Sequence, residues 1–383
     1  MARPKIPSAS KPIRPVHATS FAREVYLPTQ VPLTASADYG RSLDAAGART
    51  SPRTGISVTG QAIDQITLLG DIGATNARFA MLTGGVLGPV KWIEVARYSQ
   101  FADAIEDFLQ SQFFQSPVSG AVLAVAGPVE GQRSYFTNSS WTIDGCEIRN
   151  RFEFRAVRLV NDFEATALSL PHLMEQDVRT LGGGEAVSGA PMIVLGPGSG
   201  LGVAALVGDG ASQIVIASEG GHVTFPAAST REDAILVHLR KRFGHVSAER
   251  VLSGPGIENL YYAIASLDGI DVKSRNAADI TNAALQGICP TSRAALDMFC
   301  AMLGGFAGNV ALTYGARGGV YIAGGIAPRI LDYLANSAFR QRFEQKGRFC
   351  AYLERIPSKV IVHSTATFLG LKSLATSRPQ EVD

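Results

Sequence analysis

The chain has 383 residues, 46% hydrophobic and 18% charged, with a formal net charge of +2, a globular composition too long for one core, so two lobes are expected. No run of about 20 residues is apolar enough without interruption to read as a membrane span; the nearest, residues 298–314, is broken by Gly304, Gly305, Gly308 and Asn309 and reads as a close-packed interior helix.

Residues 1–63 stand apart. They hold eight Lys and Arg against three acids, and seven of the chain's 19 prolines, with no sustained apolar period. Such a segment cannot bury enough surface to offset the entropy of ordering, so disorder is the expectation. Its basic, serine-rich character superficially suits an organelle transit peptide, but its helical amphipathicity is poor. A flexible extension, or a start codon assigned too far upstream, is the simpler reading. The remainder carries a net charge of −3, which offers no basic surface for nucleic acid.

Order begins with a strand at 66–70 and a second at 78–82, joined by a Gly-containing turn into a hairpin. Residues 91–98 read as a third strand. Phe101, Ile105, Phe108 and Leu109 recur on one helical face. A buried strand at 121–126 is halted by Gly127-Pro128. A short segment at 134–137, a short helix near 144–151, a strand at 154–162 and a helix start at 163–168 follow. After Pro171, strands at 192–195 and 203–206 flank a glycine-rich turn, and 214–217 is another strand. Thr230 as N-cap, with Asp233 in the first turn, opens a helix through Phe243 that Gly244 closes. A strand at 320–323 and a last helix at 368–374 complete the pattern. Strands followed by helices imply an α/β sheet architecture. No internal repeat of 20–50 residues is visible. Cys146, Cys289, Cys300 and Cys350 are widely spaced, which signals neither a zinc knuckle nor a redox pair and fits a reducing cytoplasm.

Three glycine clusters punctuate the strands. Gly70-Asp71-Ile72-Gly73-Ala74-Thr75-Asn76 joins the first two. Glycines let backbone N–H groups approach an anion, and Thr75 adds a hydroxyl donor. Asp71 is unsuited to phosphate but suits Mg²⁺ held through water; an ordinary glycine hairpin is the alternative. In Gly196-Pro197-Gly198-Ser199-Gly200-Leu201-Gly202 the glycines fall at every second position and lead into another strand, which argues against a dinucleotide fingerprint. Gly318-Gly319 and Gly324-Gly325 bracket the 320–323 strand, for close approach either to an adenosine or to packed neighbours. The chain has no Gly-Lys dipeptide, which excludes a Walker loop.

Asn161-Asp162 lies at a strand-to-helix corner, where open α/β sheets place ligands. Asp162 suits a general base for a hydroxyl that Asn161 orients; the plainer reading is that Asp162 caps the helix. Glu219-Gly220-Gly221-His222 brings a carboxylate and an imidazole around one bend, and Glu249 precedes Ser253-Gly254-Pro255-Gly256. Carboxylates that accept from vicinal hydroxyls, beside amide and imidazole donors, suit sugar recognition. Glu249 paired with Arg250 or solvent, and His222 as a structural histidine, are the alternatives.

Taken in order, the segments 70–78, 159–163, 198–203, 219–223, 245–256 and 318–326 resemble the bacterial ATP-dependent glucokinases of the actin-like, hexokinase-type sugar kinase superfamily. The resemblance covers nearly everything after residue 63. It implies an α/β, two-lobed actin-like (ribonuclease H-like) ATPase fold, with a small lobe of residues 64–172 plus 363–383 and a large lobe of 173–362. It implies ATP and Mg²⁺ at Gly70, Asp71, Ile72, Gly73, Ala74, Thr75, Gly198, Gly200, Gly324 and Gly325. Glucose would be held by Asn161, Asp162, Glu219, His222 and Glu249, with Asp162 as the base and glucose 6-phosphate as the product. A cytoplasmic homodimer without membrane or nucleic-acid partners is expected. Family members often have Gly where this chain has Ala74, and the extension is outside the pattern. Related repressor/open-reading-frame/kinase sugar kinases carry a zinc-binding cysteine cluster after the His motif, which is missing here. The rival readings are a kinase for another hexose, a non-catalytic sugar-responsive regulator, for which residues 1–63 supply no helix-turn-helix, and an actin-like assembly protein, for which the sugar-holding set has no purpose.

Overall fold

The computed structural model describes residues 66–112, 116–135 and 141–376. The disorder expected of residues 1–63, part of the 134–137 segment and the 377–383 end of the expected small lobe lie outside the described residues.

The first half of the chain runs β1 Ile66–Ile72, β2 Asn76–Thr83, β3 Val86–Leu87, β4 Lys91–Glu94, α1 Phe101–Gln110 and β5 Val118–Val125. It continues through β6 Val129–Glu130, β7 Arg133–Tyr135, β8 Thr142–Asp144, α2 Gly145–Arg151, β9 Ala156–Asn161 and α3 Asp162–Ser169. Its sheet has the order β3-β2-β1-β5-β9, with β4 also on β2, while β6, β7 and β8 make a small separate sheet. The β1–β2 hairpin is antiparallel and β1, β5 and β9 are parallel. The phenylalanines of the expected helical face do bury: Phe101 and Phe108 of α1 close on Phe79 of β2.

The second half contains β10 Val178–Gly182, β11 Met192–Pro197, β12 Leu201–Val207, β13 Ile214–Ser218, α4 Thr230–Phe243, α5 Gly254–Asp268, α6 Ala277–Leu285 and α7 Pro290–Tyr314. It ends with β14 Gly319–Ile322, α8 Leu331–Ala335, α9 Phe339–Glu344, α10 Cys350–Leu353, β15 Ser358–Ile361 and α11 Ala366–Thr376. The sheet order is β10-β15-β14-β11-β12-β13. Its wiring repeats that of the first: an antiparallel set (β11, β12, β13) followed by two parallel strands (β14, β15).

The central strands of each large sheet are packed on both faces. The outer face of the first packs on α1 through Leu68, Ile72, Phe79 and Leu123. Its inner face (Leu69, Ala80, Val122, Val160) meets Phe368 and Leu371 of α11. On the other side, Ala167 and Leu168 of α3 lie against Val194, Ala204 and Leu206 of the second sheet. The far face of that sheet (Ile193, Leu195, Val203, Ala205) is covered by α4, α5, α6 and α7. The helix pair α3–α11 thus forms the middle layer, and a methyl group built on Gly370 would fall on the Ala165 carbonyl.

Three expectations change. The 91–98 strand stops at Glu94 and gives way to a 3₁₀ turn at Val95–Arg97. Asn76 opposite Glu94 is the last ladder partner, and the Val95 N–H donates to the Thr75 carbonyl instead (3.0 Å). The N-cap of α4 is Ser229, whose hydroxyl accepts from the Glu232 N–H (3.2 Å), so Thr230 is the first helical residue. By length and composition α7 is apolar enough to cross a membrane, whereas the interior packing expected of 298–314 stands, with 72% of its most apolar window buried inside the fold. The duplication in the strand wiring, from β1 at Ile66 to β11 at Met192, is longer than the 20–50-residue period absent from the sequence.

Candidate active site

Asp162 stands at the C-terminal end of the parallel strand β9, where α3 begins. The cap belongs to its neighbour: Asn161 Oδ1 accepts from the N–H groups of Phe163 (2.9 Å) and Glu164 (3.4 Å). Asn161 Nδ2 donates to the Gly127 carbonyl (3.0 Å), which leaves one amide hydrogen for a hydroxyl. Asp162 is therefore the first residue of the helix, with Oδ1 accepting from the Phe163 N–H (2.9 Å). Its side chain is partly accessible. Burial first, and then the charges of Asp71 and Glu219, raise the carboxyl to about 7 against the opposing Phe163 N–H.

Phe163 fixes this corner against the second glycine hairpin. Methyl groups built on Gly196 or Gly202 would collide with its ring. Those two glycines are floor for the aromatic ring, and Gly198 at the tip is open. Gly324, at φ +80°, closes on the Pro197 carbonyl, while Gly325 is open. Packing therefore accounts for Gly324, as it does for Gly70, whose missing side chain makes room for Leu123 and Phe79. Gly70 and Ile72 are buried within β1. Gly73, Ala74 and Thr75 form the accessible tip, closed by the Gly73 N–H on the Asn76 carbonyl (3.0 Å).

Asp71 is buried and ion-paired with Arg78. Arg78 also donates to the Ser364 carbonyl (2.7 Å) and lies over the Trp92 ring. Burial raises Asp71, while Arg78 and the Thr367 hydroxyl pull it back down. Sequence reasoning gave Arg78 no role. The signal was present: a hairpin folding about Ala74 puts position 71 opposite 78, as the ladder shows.

The sugar-side residues converge through backbone pairing. The Glu249 N–H donates to the Gly221 carbonyl (2.8 Å) and the Ala248 N–H to the Val223 carbonyl (2.9 Å). His222 Nε2 is 3.8 Å from Glu219 Oε2, both side chains largely exposed. Glu249 reaches away from its neighbour Arg250: its Oε2 accepts from the Leu201 N–H (2.9 Å) in the second glycine hairpin. Asp71, Asp162 and Glu219 are joined electrostatically, and Glu249 is joined to Glu219 and His222 by the paired segments. Two cavities of about 600 and 520 Å³, one beside Arg317 and Arg355 and one beside Arg179 and Lys359, contain none of these residues.

Among the described residues no group of three or more His, Cys, Asp or Glu side chains is placed to cage a metal ion. Asp71 is buried, keeps one oxygen on Arg78 and is the one carboxylate of the 70–76 turn. That donor set fits a magnesium ion that keeps its waters and takes its other ligands from phosphates.

A family model for glucokinases matches residues 68–378. The chain is 44% identical over 317 residues to the glucokinase of Paramagnetospirillum magneticum, covering 82% of this chain and 98% of that protein. It is 42% identical over 315 residues to the glucokinase of Nitrobacter hamburgensis, with the same coverage. Among solved structures, a glucokinase from an Antarctic psychrotroph aligns with a TM-score of 0.74 at 36% identity, covering 82% of this chain and 99% of that one. A ROK-family glucokinase from Streptomyces griseus, solved with glucose and AMPPNP, shares the fold at a TM-score of 0.55 and 18% identity over 81% of this chain and 98% of its own. The architecture is the actin-like sugar kinase fold, and the chain belongs to the glucokinase family.

Proposed function

We propose that the chain transfers the γ-phosphoryl group of ATP to the 6-hydroxyl of glucose, with Asp162 as general base. The observation that carries this reading is a carboxylate at the mouth of β9 whose surroundings raise it to about 7. A base near the operating pH balances proton affinity against availability. The hydroxyl proton passes to Asp162 as its oxygen attacks the γ-phosphorus in line, and the bond to the ADP oxygen breaks. Asn161, Glu219, His222 and Glu249 hold the sugar hydroxyls, and the tips Gly73–Thr75 and Gly198–Gly200, with Gly325, face the nucleotide. Mg²⁺, held by Asp71 through water, would offset charge on the phosphates. In such transfers positioning and electrostatics carry most of the rate. The reading extends to lobes 64–172 with 363–383 and 173–362, and to a homodimer in the cytoplasm.

Asp162→Asn tests it. The variant should lose about 10²–10⁴-fold in kcat and still bind glucose by calorimetry; near-normal turnover would remove the base. A coupled assay over a panel of hexoses, with glucose giving the highest kcat/KM, separates this reading from a kinase for another sugar.

A further inference from the structure

The Glu249 carboxylate lies against the turn that faces the nucleotide, and resting on the functional reading above, this adds a coupling between the two substrates. Glu249 Oε2 takes the Leu201 N–H at 2.9 Å. A methyl group built on Gly200 would meet that oxygen at 2.5 Å and no atom outside the Glu249 carboxylate within 4 Å. The neighbouring tip residue Gly198 faces open space. The area above Gly200 is therefore closed by one negatively charged group. The same residue is anchored on the sugar side: its N–H bonds Gly221, in the turn that carries Glu219 and His222. Its carbonyl accepts from the Ser253 hydroxyl (2.8 Å), the N-cap of α5, and the Gly254 N–H closes on the Gly198 carbonyl (2.8 Å). The backbone at 249 is thus pinned between both turns, and the side chain alone is able to change partner.

We propose that Glu249 is a sugar-released gate on the nucleotide turn. With no sugar bound, its carboxylate occupies a backbone donor that a phosphate oxygen needs and opposes the phosphate by like charge. Sugar hydroxyls donating to Glu249 draw it off Leu201, opening the turn. Sugar binding then tightens nucleotide binding, and linkage requires the reverse by the same factor. The arrangement disfavours a nucleotide seated beside water alone, and so limits hydrolysis without an acceptor.

The test is calorimetry on the full chain with Mg²⁺ and the non-hydrolysable analogue AMPPNP, with and without glucose. In the unaltered protein glucose should tighten the analogue at least about tenfold. Glu249→Gln keeps an acceptor for Leu201 but removes the charge; Glu249→Ala removes both. Each should bind the analogue without sugar about tenfold tighter than the unaltered protein, and added glucose should not tighten it further. A residue that merely supports the fold would weaken binding when replaced. Sugar-free affinity unchanged or reduced in both variants, or no effect of glucose on the unaltered protein, overturns the gate. The kinase reading fails separately, by absence of glucose phosphorylation in the unaltered protein.

Discussion

Asp162 holds its proton to about pH 7 in the fold, against an ordinary value of 3.8. Well below 3.8 both folded and unfolded chains are protonated and the residue is neutral to stability. Between these values the unfolded chain releases the proton while the fold keeps it, so the fold loses ground as pH rises. Above 7 the full cost is present. Discounted for partial access to water, that cost is about 1–3 kcal/mol. Asp162→Asn should therefore raise the melting temperature more at pH 8 than at pH 5, and an equal rise at both would show the carboxylate to be unstrained. With Asp162 as the proposed base, kcat should fall as pH drops below about 7, toward tenfold per unit, as the carboxylate is protonated. The Asn-Asp pair was legible because a strand's end and a helix's start are both written in local pattern. Which of the two caps was not, since Asn161 is chosen by its reach to Gly127, 34 residues away. Arg78 went unassigned because its partners at 71, 92 and 364 meet only once the hairpin and α11 are in place.

The β11–β12 hairpin and α3 are fitted to each other by what two glycines lack. The Phe163 ring occupies the space at Gly196 and Gly202, so the helix that begins with Asp162 is located against the β11–β12 turn. Gly202→Ala should expel the ring, destabilise the fold by about 1–3 kcal/mol as overpacked cores do, and lower kcat more than it raises the KM for glucose. Denaturant unfolding and steady-state kinetics on one preparation would check both; unchanged kcat would separate Phe163 from the placement of the base. Alternation and turn residues made the two hairpins readable from sequence. The glycines at 196 and 202 read as turn-makers because the ring they accommodate comes from another element. The over-long strand at 91–98 has a similar origin: local propensity favoured extension, but β2 offers no partner past Asn76.

Across the whole molecule, the two large sheets share one wiring, and each contains a hairpin whose tip carries glycine: Gly73 in one, Gly198 in the other. The sequence shows no period because the two hairpins share a backbone path and little side-chain chemistry. The halves meet through α3 and α11, with Gly370 seated on the Ala165 carbonyl. Gly370→Ala should force these helices apart and cost about 3 kcal/mol or more, seen as a lower denaturation midpoint; a wild-type midpoint would mean the crossing has slack. A contact of glycine on bare main chain has a mechanical side as well. It leaves no side chain between the two helices at that point, so their separation there is set by main chain alone.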